Sequence, residues 1–485
     1  MTHSIHPVIK LTNGVTRSDA VRFRLPINFS LNRNEHLAIV GLNGSGKSIL
    51  IDTILGKYPL KEGELTYDFF PSSSQKIYEN IKYITFRDSY GEYDSNYYYQ
   101  QRWNSTGQEE LPEVKTFLED IEEDSFKKEL IDAFQLKPLL DKKIVLLSSG
   151  ELRKFQLLKA LFSNPRVLII DNPFIGLDAS ARKILDELLC QLAKRDSLQI
   201  ILLVSTVETI PAFVTHVIPV CNRICKEKLS REYYINSNLI SAKETNWVSG
   251  KKNNIQFPEP STCPVLSGTE IIRMSDVTIR YGDRTILKDL NWVVKAGEKW
   301  ALSGKNGSGK STLLSLIYAD NPQSYACNIS LFGRKRGTGE SIWEIKRNIG
   351  YVSPEMHRAY LKNIPAIEIV GSGLFDSIGL YKKLPLEKIE VCEWWMKLFE
   401  IEHLKNQSFL QLSSGEQRLC LLARAFVKNP ALLILDEPLH GLDDYNRQMV
   451  KNVIDSFCKQ SNKTLIMVTH YEEELPSCIQ KKKVL

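Results

Sequence analysis

Gly304-Lys305-Asn306-Gly307-Ser308-Gly309-Lys310-Ser311 decides the fold, because the chain carries it twice. Gly41-Leu42-Asn43-Gly44-Ser45-Gly46-Lys47-Ser48 repeats it in the first half of the 485 residues. Downstream of each stands Leu-Ser-Ser-Gly-Glu, at 147–151 and at 412–416. An apolar run ending in aspartate follows, closing at Asp171 and Asp436. Lys47 precedes Gly150 by 103 residues and Lys310 precedes Gly415 by 105, and the glycine-to-aspartate spacing is 21 in both halves. An ordered series at matched spacing marks a duplicated unit. The repeat places one α/β domain over about 1–222 and a second over about 268–485, with 223–267 as a linker.

Composition supports two soluble domains. Apolar residues are 43% and charged residues 25%, the balance of a globular chain too long for one ordinary core. The net charge of +6 is slight for this length and gives no strong nucleic-acid signal. Nine scattered cysteines suggest reduced thiols rather than a disulfide framework or a zinc site. No stretch reaches the roughly 18–20 apolar residues of a membrane span. A cytoplasmic protein is expected, peripheral to a membrane only through a partner.

The elements around the motifs read as strands and loops. Val167-Leu168-Ile169-Ile170 and Leu432-Leu433-Ile434-Leu435 are apolar throughout, as in strands of a parallel sheet covered on both faces. His36–Val40 and Trp300-Ala301-Leu302 lead into the glycine-rich loops, and Ile271–Tyr281 alternates imperfectly. The stretch 223–267, rich in Ser, Asn and Lys with Pro258 and Pro260, reads as a linker with one short helix near 229–242. Tyr90–Asn104 is rich in aromatic residues. It is expected to pack on its own domain, the alternative being an exposed recognition surface.

The glycine-rich loops are built for phosphate. Between a strand and a helix, glycines let backbone N–H groups wrap a phosphate closely. Gly304, Gly307 and Gly309 supply that backbone, and Asn306, Ser308 and Thr312 complete the expected ATP-binding set. Lys310 places a cation on the β- and γ-phosphates of a nucleotide, and the Ser311 hydroxyl can ligate Mg²⁺. Gly41, Asn43, Gly44, Ser45, Gly46, Lys47 and Ser48 are their counterparts. Asp436 and Asp171 end buried strands, where a carboxylate can hold the metal. Glu437 can then orient or deprotonate an attacking water. His470, closing the apolar run 465–469, can reach the γ-phosphate, and Tyr281 can stack on adenine. Ser148, Ser149 and Gly150, and likewise Ser413, Ser414 and Gly415, open helices whose N-terminal amides suit an anion.

Taken with Asp436-Glu437-Pro438 and Gly441-Leu442-Asp443, this series resembles the ATP-binding-cassette ATPases over nearly the whole chain. The segments Leu331–Glu340, Ile349–Pro354 and Phe375–Tyr381 narrow the resemblance to ModF-type tandem cassettes, also called photorepair-type and associated with molybdate operons. The resemblance implies two P-loop NTPase domains of the cassette type with no transmembrane segment. It implies ATP and Mg²⁺ as ligands, and intramolecular pairing of the cassettes head to tail on two ATP molecules. Each nucleotide would lie between one half's P-loop and the other half's Ser-Ser-Gly. Lys310, Asp436, Glu437 and His470 would then form the competent site.

The first half departs from the family pattern. Asn172 replaces the glutamate, Thr206 replaces the histidine, and Ser18 stands where Tyr281 does. Arg87 and Glu355 occupy the two regions where the family has a glutamine. Both signatures carry serine in place of the commonest first glycine. Hydrolysis is therefore expected mainly at the second site. Family analogy implies the ATP-binding component of a transport system for molybdate or a related oxyanion, with a membrane permease subunit as partner. The alternative is a soluble, non-transport ATPase acting on ribosomes, nucleic acid or a regulatory partner.

Overall fold

The computed structural model describes residues 7–85, 112–118, 125–144, 147, 149–174, 179–205, 207, 210–244, 256–259, 268–281, 284–304, 307–469 and 471–485. They fall into two compact units, within 7–244 and 256–485. Tyr90–Asn104 lies outside the described residues.

In the first unit, β1 (Ile9–Thr16) pairs antiparallel with β2 (Ile27–Leu31) and β4 (Leu60–Tyr67). A second sheet is built on parallel pairings of β3 (Leu37–Val40), β5 (Ile81–Thr85), β6 (Val167–Asp171), β7 (Gln199–Val204) and β8 (His216–Cys221). Its order is β8-β3-β7-β6-β5, so the glycine-rich loop leaves a central strand. Ile9, Phe29, Ile39, Leu50, Ile169 and Ile201 share the core that joins the two sheets to the helix Lys47–Ile54. Every residue of Val167–Ile170 is buried, as the unbroken apolar run requires.

The second unit repeats the plan. β11 (Glu270–Tyr281) pairs antiparallel with β12 (Arg284–Lys295) and with β14 (Ile329–Leu331). β13 (Lys299–Ser303), β16 (Ile349–Val352), β17 (Leu432–Asp436), β18 (Thr464–Val468) and β19 (Lys481–Val484) form a parallel sheet in the order β16-β17-β18-β13-β19. Helices Ala366–Ser372, Leu386–Leu398, Ser414–Phe426 and Asp444–Cys458 contribute to a further core around Trp395, Phe399, Phe426 and Phe457.

The structure differs from the sequence reading at the linker. β9 (Ile224–Cys225) and β10 (Leu229–Ser230) both pair antiparallel with β8, and the helix Arg231–Glu244 follows. Residues 223–244 therefore belong to the first unit. Asn222 and Arg223 carry φ of 49° and 57°, the backbone of a tight hairpin turn. Polar residues read as linker are here turn chemistry. At the other end Phe257 packs 5.7 Å from Trp394 and 5.6 Å from Trp395, and Asn429 Nδ2 donates to Pro258 O at 2.7 Å. Residues 257–258 are thus anchored on the second unit.

Candidate active site

The two glycine-rich loops share one geometry. Gly46 (φ 107°) and Gly309 (φ 97°) sit in the left-handed region at the starts of helices Lys47–Ile54 and Lys310–Ile317. A side chain at Gly309 would also collide with Leu287, whose Cδ2 lies 2.8 Å from the place of a Cβ. Lys47 Nζ donates to Gly41 O (2.6 Å) and Leu42 O (3.0 Å), and Lys310 Nζ donates to Gly304 O (2.7 Å). Each lysine therefore lies across the carbonyls of its own loop. The Ser45 and Ser308 hydroxyls are buried with no hydrogen-bond partner among the described residues. A phosphate oxygen satisfies such a group, so both loops fit a nucleotide. Asn43 and Gly44 stand in the first loop and Gly307 in the second, with Thr312 on the helix behind it. Asn306 lies outside the described residues.

A support that the sequence reading missed reaches the first loop from the supposed linker. Arg223 N donates to Ser45 O at 2.9 Å, and the Arg223 guanidinium donates to Ala20 O at 2.8 Å. In the second unit Leu485 N donates to Ser303 O at 3.0 Å, beside the other loop. No local motif marks either contact, because both join residues distant in sequence.

At the end of β17, Asp436 is deeply buried. Burial, together with the charges of Glu355 and Glu437, holds its carboxyl well above the usual carboxylate range, while Arg418 and Lys310 pull the other way. Glu355, in the region where the family has a glutamine, is thus part of this electrostatic cluster. Arg418 is the organising cation. Its guanidinium donates to the carbonyls of Ser353 (3.3 Å), Asp436 (3.1 Å), Glu437 and Pro438 (3.4 Å). One side chain of helix Ser414–Phe426 thereby fixes the backbone on which Asp436 and Glu437 stand.

Glu437 follows with φ 48°, and its N–H donates to Val468 O at 2.9 Å. Its carboxylate lies 3.8 Å from His440 Nδ1. Among the described residues no three acidic, histidine or cysteine groups form a protein-only metal cage. A divalent ion would depend on Asp436, the Ser311 hydroxyl, phosphate oxygens and water, the donor set that suits Mg²⁺. The buried, crowded Asp436 carboxyl fits that ion.

The first unit answers differently. Asn172 has φ 49° and its N–H donates to Leu203 O at 2.9 Å, the backbone geometry of Glu437. Its side-chain Nδ2 donates to Asp171 Oδ1 at 2.8 Å. The Tyr83 hydroxyl donates to Asp171 Oδ2 at 3.2 Å. Both carboxylate oxygens of Asp171, the partner of Ser48 in the expected metal pair, thus accept a side-chain hydrogen bond. Burial and the Asp171 charge push the Tyr83 hydroxyl far up, so it stays protonated and remains a donor. Arg153, buried at the place of Arg418, donates to Pro173 O at 2.6 Å.

The remaining expected residues are placed as follows. Ser413 caps helix Ser414–Phe426 in a capping box: its hydroxyl accepts from Glu416 N (3.4 Å) and its N–H donates to Glu416 Oε2 (2.8 Å). Gly415 is buried in the first turn after Ser414. Ser149 and Gly150 open the matching helix Ser149–Leu161. Tyr281 ends β11 and is 41% exposed, and its hydroxyl accepts from Asn321 Nδ2 at 2.9 Å. His470, Ser148, Thr206 and Arg87 lie outside the described residues.

Two glycine-rich loops on central strands, each beside a strand-end aspartate, define a tandem nucleotide-binding protein. The family model described as ABC transporter matches residues 25–175 and 287–440, and the chain belongs to that family. It is a tandem-cassette ABC ATPase. It is 35% identical over 481 residues to the ABC transporter ATP-binding protein ModF of Escherichia coli, covering 97% of this chain and 95% of that protein. An ABC transporter ATP-binding protein of Schizosaccharomyces pombe is 30% identical, over 94% of this chain and 93% of its own length. In fold, the chain resembles the archaeal ribosome recycling factor aABCE1 solved with a ribosomal stalk protein, with a TM-score of 0.51 at 18% identity, over 97% of this chain and 87% of that one. Among the described residues no helix is long and apolar enough to cross a membrane.

Proposed function

We propose that the two cassettes work unequally, with hydrolysis mainly at the second P-loop and retention of ATP at the first. The observation that carries this reading is the pair of strand ends, Asp436-Glu437 against Asp171-Asn172. A carboxylate can accept a proton from water, and a carboxamide cannot. In this reading Gly304, Gly307, Gly309, Lys310 and Ser308 hold the triphosphate of ATP, Tyr281 stacks on the base, and Glu437 orients the attacking water. Bound Mg²⁺ would supply charge neutralisation between the phosphates, with Ser311 and Asp436 as its protein ligands. Arg418 keeps Glu437 in register by holding the carbonyls of 436–438. The signature residues Ser148, Ser149 and Gly150 would complete this site from the other cassette, and Ser413, Ser414 and Gly415 would complete the first.

The chain would act in the cytoplasm as the ATP-binding component of a transport system, with a membrane permease as its partner. The relatives' names support the transport class, and a molybdate-like oxyanion is the cargo suggested by the ModF likeness. Two measurements test this. Site-resolved trapping of nucleotide should show exchange at the second P-loop and a long-lived occupant at the first, and equal exchange would overturn the division. Purification from native membranes should retain an integral membrane subunit. ATPase stimulation by ribosomes or DNA, without such a subunit, would overturn the transport role.

A further inference from the structure

The two glycine-rich loops have different neighbours. From Ser18 and Tyr281 to Gly46 and Gly309 the halves run in step at an offset of 263 residues, so Phe23 corresponds to Ile286. In the second unit β11 runs on to Tyr281, which pairs with Arg284 of β12. In the first unit β1 stops at Thr16, and a short helical turn at Asp19–Val21 follows Ser18. A serine offers a base no ring to stack on. The space beside the loop is filled from two other places. A side chain at Gly46 would meet Phe23 Cζ at 3.3 Å, Arg223 Cγ at 3.5 Å and Arg223 Cα at 3.6 Å, whereas at Gly309 it would meet Leu287 and Ile286. Gly46 immediately precedes Lys47, so Phe23 and Arg223 stand against the turn that would carry the phosphates.

Arg223 is fixed from several sides. Its N–H donates to Ser45 O at 2.9 Å and its carbonyl accepts from Arg24 N at 2.8 Å. Its guanidinium donates through Nη1 to Ala20 O at 2.8 Å, in the turn that replaces the end of β11. The arginine therefore ties the glycine-rich loop to the segment 20–24, and its planar group is held where the two meet. A guanidinium bonded through one edge keeps its faces, and such a plane stacks on an aromatic ring. We propose that Arg223 is the base platform of the first site, its guanidinium taking, from the hairpin that follows β8, the stacking role that Tyr281 has in the second, with Phe23 beside it. The inference rests on the reading that the first site holds ATP. Sequence position hides it, because Arg223 is some 200 residues from the segment whose missing aromatic it replaces.

The test uses the full chain with Lys310→Ala, which leaves the first P-loop as the binding site. Calorimetry compares ATP with inorganic tripolyphosphate, which has the phosphates and no base, both with Mg²⁺. Arg223→Asn deletes the guanidinium and keeps the backbone hydrogen bonds, and asparagine accepts the φ of 57° found there. Affinity for ATP should fall by roughly 5–50-fold and affinity for tripolyphosphate by less than about twofold. The retained tripolyphosphate binding would also show that the loop is intact. Arg223→Lys keeps the charge without the plane, and should lose most of the same ATP affinity. Equal losses for the two ligands would mean that Arg223 serves the phosphates or the shape of the loop, and would overturn the proposal. So would parent-like ATP binding by either variant. Failure of the Lys310→Ala protein itself to bind ATP would overturn the occupancy reading, and the proposal with it.

Discussion

Residues 172 and 437 occupy one backbone conformation with opposite chemistry. Their φ angles are 49° and 48°, and each N–H donates to the neighbouring strand at 2.9 Å. Asparagine tolerates the left-handed region well, whereas glutamate pays about 1–2 kcal/mol to sit there. The first unit therefore has the relaxed residue and a satisfied aspartate. The second has the strained residue and an aspartate crowded by Glu355 and Glu437. Local strain and charge crowding coincide in the second unit, as the proposed division of labour expects. In the proposed reading, the duplicated scaffold holds the strand end fixed, and the residue after the aspartate sets whether a general base stands there.

The largest effect should come from removing that side chain's basicity. Glu437→Gln should lower steady-state phosphate release by ~10²–10⁴-fold while ATP still binds. Parent-like turnover in this variant would erase the contrast. Next comes the support beneath it. Arg418→Lys keeps the charge but cannot reach four carbonyls at once, so turnover should fall by roughly 10–100-fold, with nucleotide affinity much less affected. The same change at Arg153 should reduce turnover far less, because the backbone it steadies carries Asn172. Equal losses from both variants would mean that the two arginines serve folding rather than alignment.

A third variant asks whether residue 172 is the whole difference. Asn172→Glu can adopt the existing backbone, since Glu437 already does so at the same φ. It removes the amide donor from Asp171 and puts a second carboxylate beside it, with the Tyr83 hydroxyl still donating to Asp171. In a Glu437→Gln background it should recover less than about a tenth of parent turnover, because Thr206 still stands where the second half has His470. Full recovery from Asn172→Glu alone would make residue 172 the whole difference between the two sites.

Much of this was legible in the sequence, and the limits have physical causes. The glycine-rich loops, Asp171, Asp436 and the Asn172/Glu437 contrast announce themselves because their chemistry demands particular residues at short spacing. The parallel strands are legible for a similar reason: Val167–Ile170 and Leu432–Leu435 must be apolar on both faces. Tyr83 and Arg418 were not legible as parts of the site. A tyrosine in a strand and an arginine in a helix are ordinary, and only the fold brings them to the aspartates. The hairpin at 222–223 was hidden because Asn, Lys and Ser serve turns and linkers alike. Ser413 opens a helix whose amides suit an anion, and its hydroxyl and Glu416 also close a capping box on that helix, which the spacing Ser-x-x-Glu encodes.

The smallest expected effect lies away from the chemistry, at a second place where the units diverge. Lys463 immediately precedes β18, and Leu198 immediately precedes β7, and both are buried. The Lys463 ammonium donates to Asn429 O (2.7 Å) and Pro430 O (3.0 Å), and burial lowers its pKa from 10.5 to about 8. Between those two values the unfolded chain holds a proton that the folded chain has released. Stability from this group therefore rises with pH across that window, and the cost of a buried charge is fully present below pH 8. Lys463→Leu copies the first unit and deletes the dependence. The variant's melting temperature relative to the parent should be highest near neutrality and should decline by roughly 2–4 °C as the pH approaches 10. The two lost hydrogen bonds lower the variant at the start of that range, so the slope carries the test rather than the sign at any one pH. A gap that stays constant with pH would mean that the ammonium is solvated in the folded protein, and that leucine and lysine at this position differ only in packing.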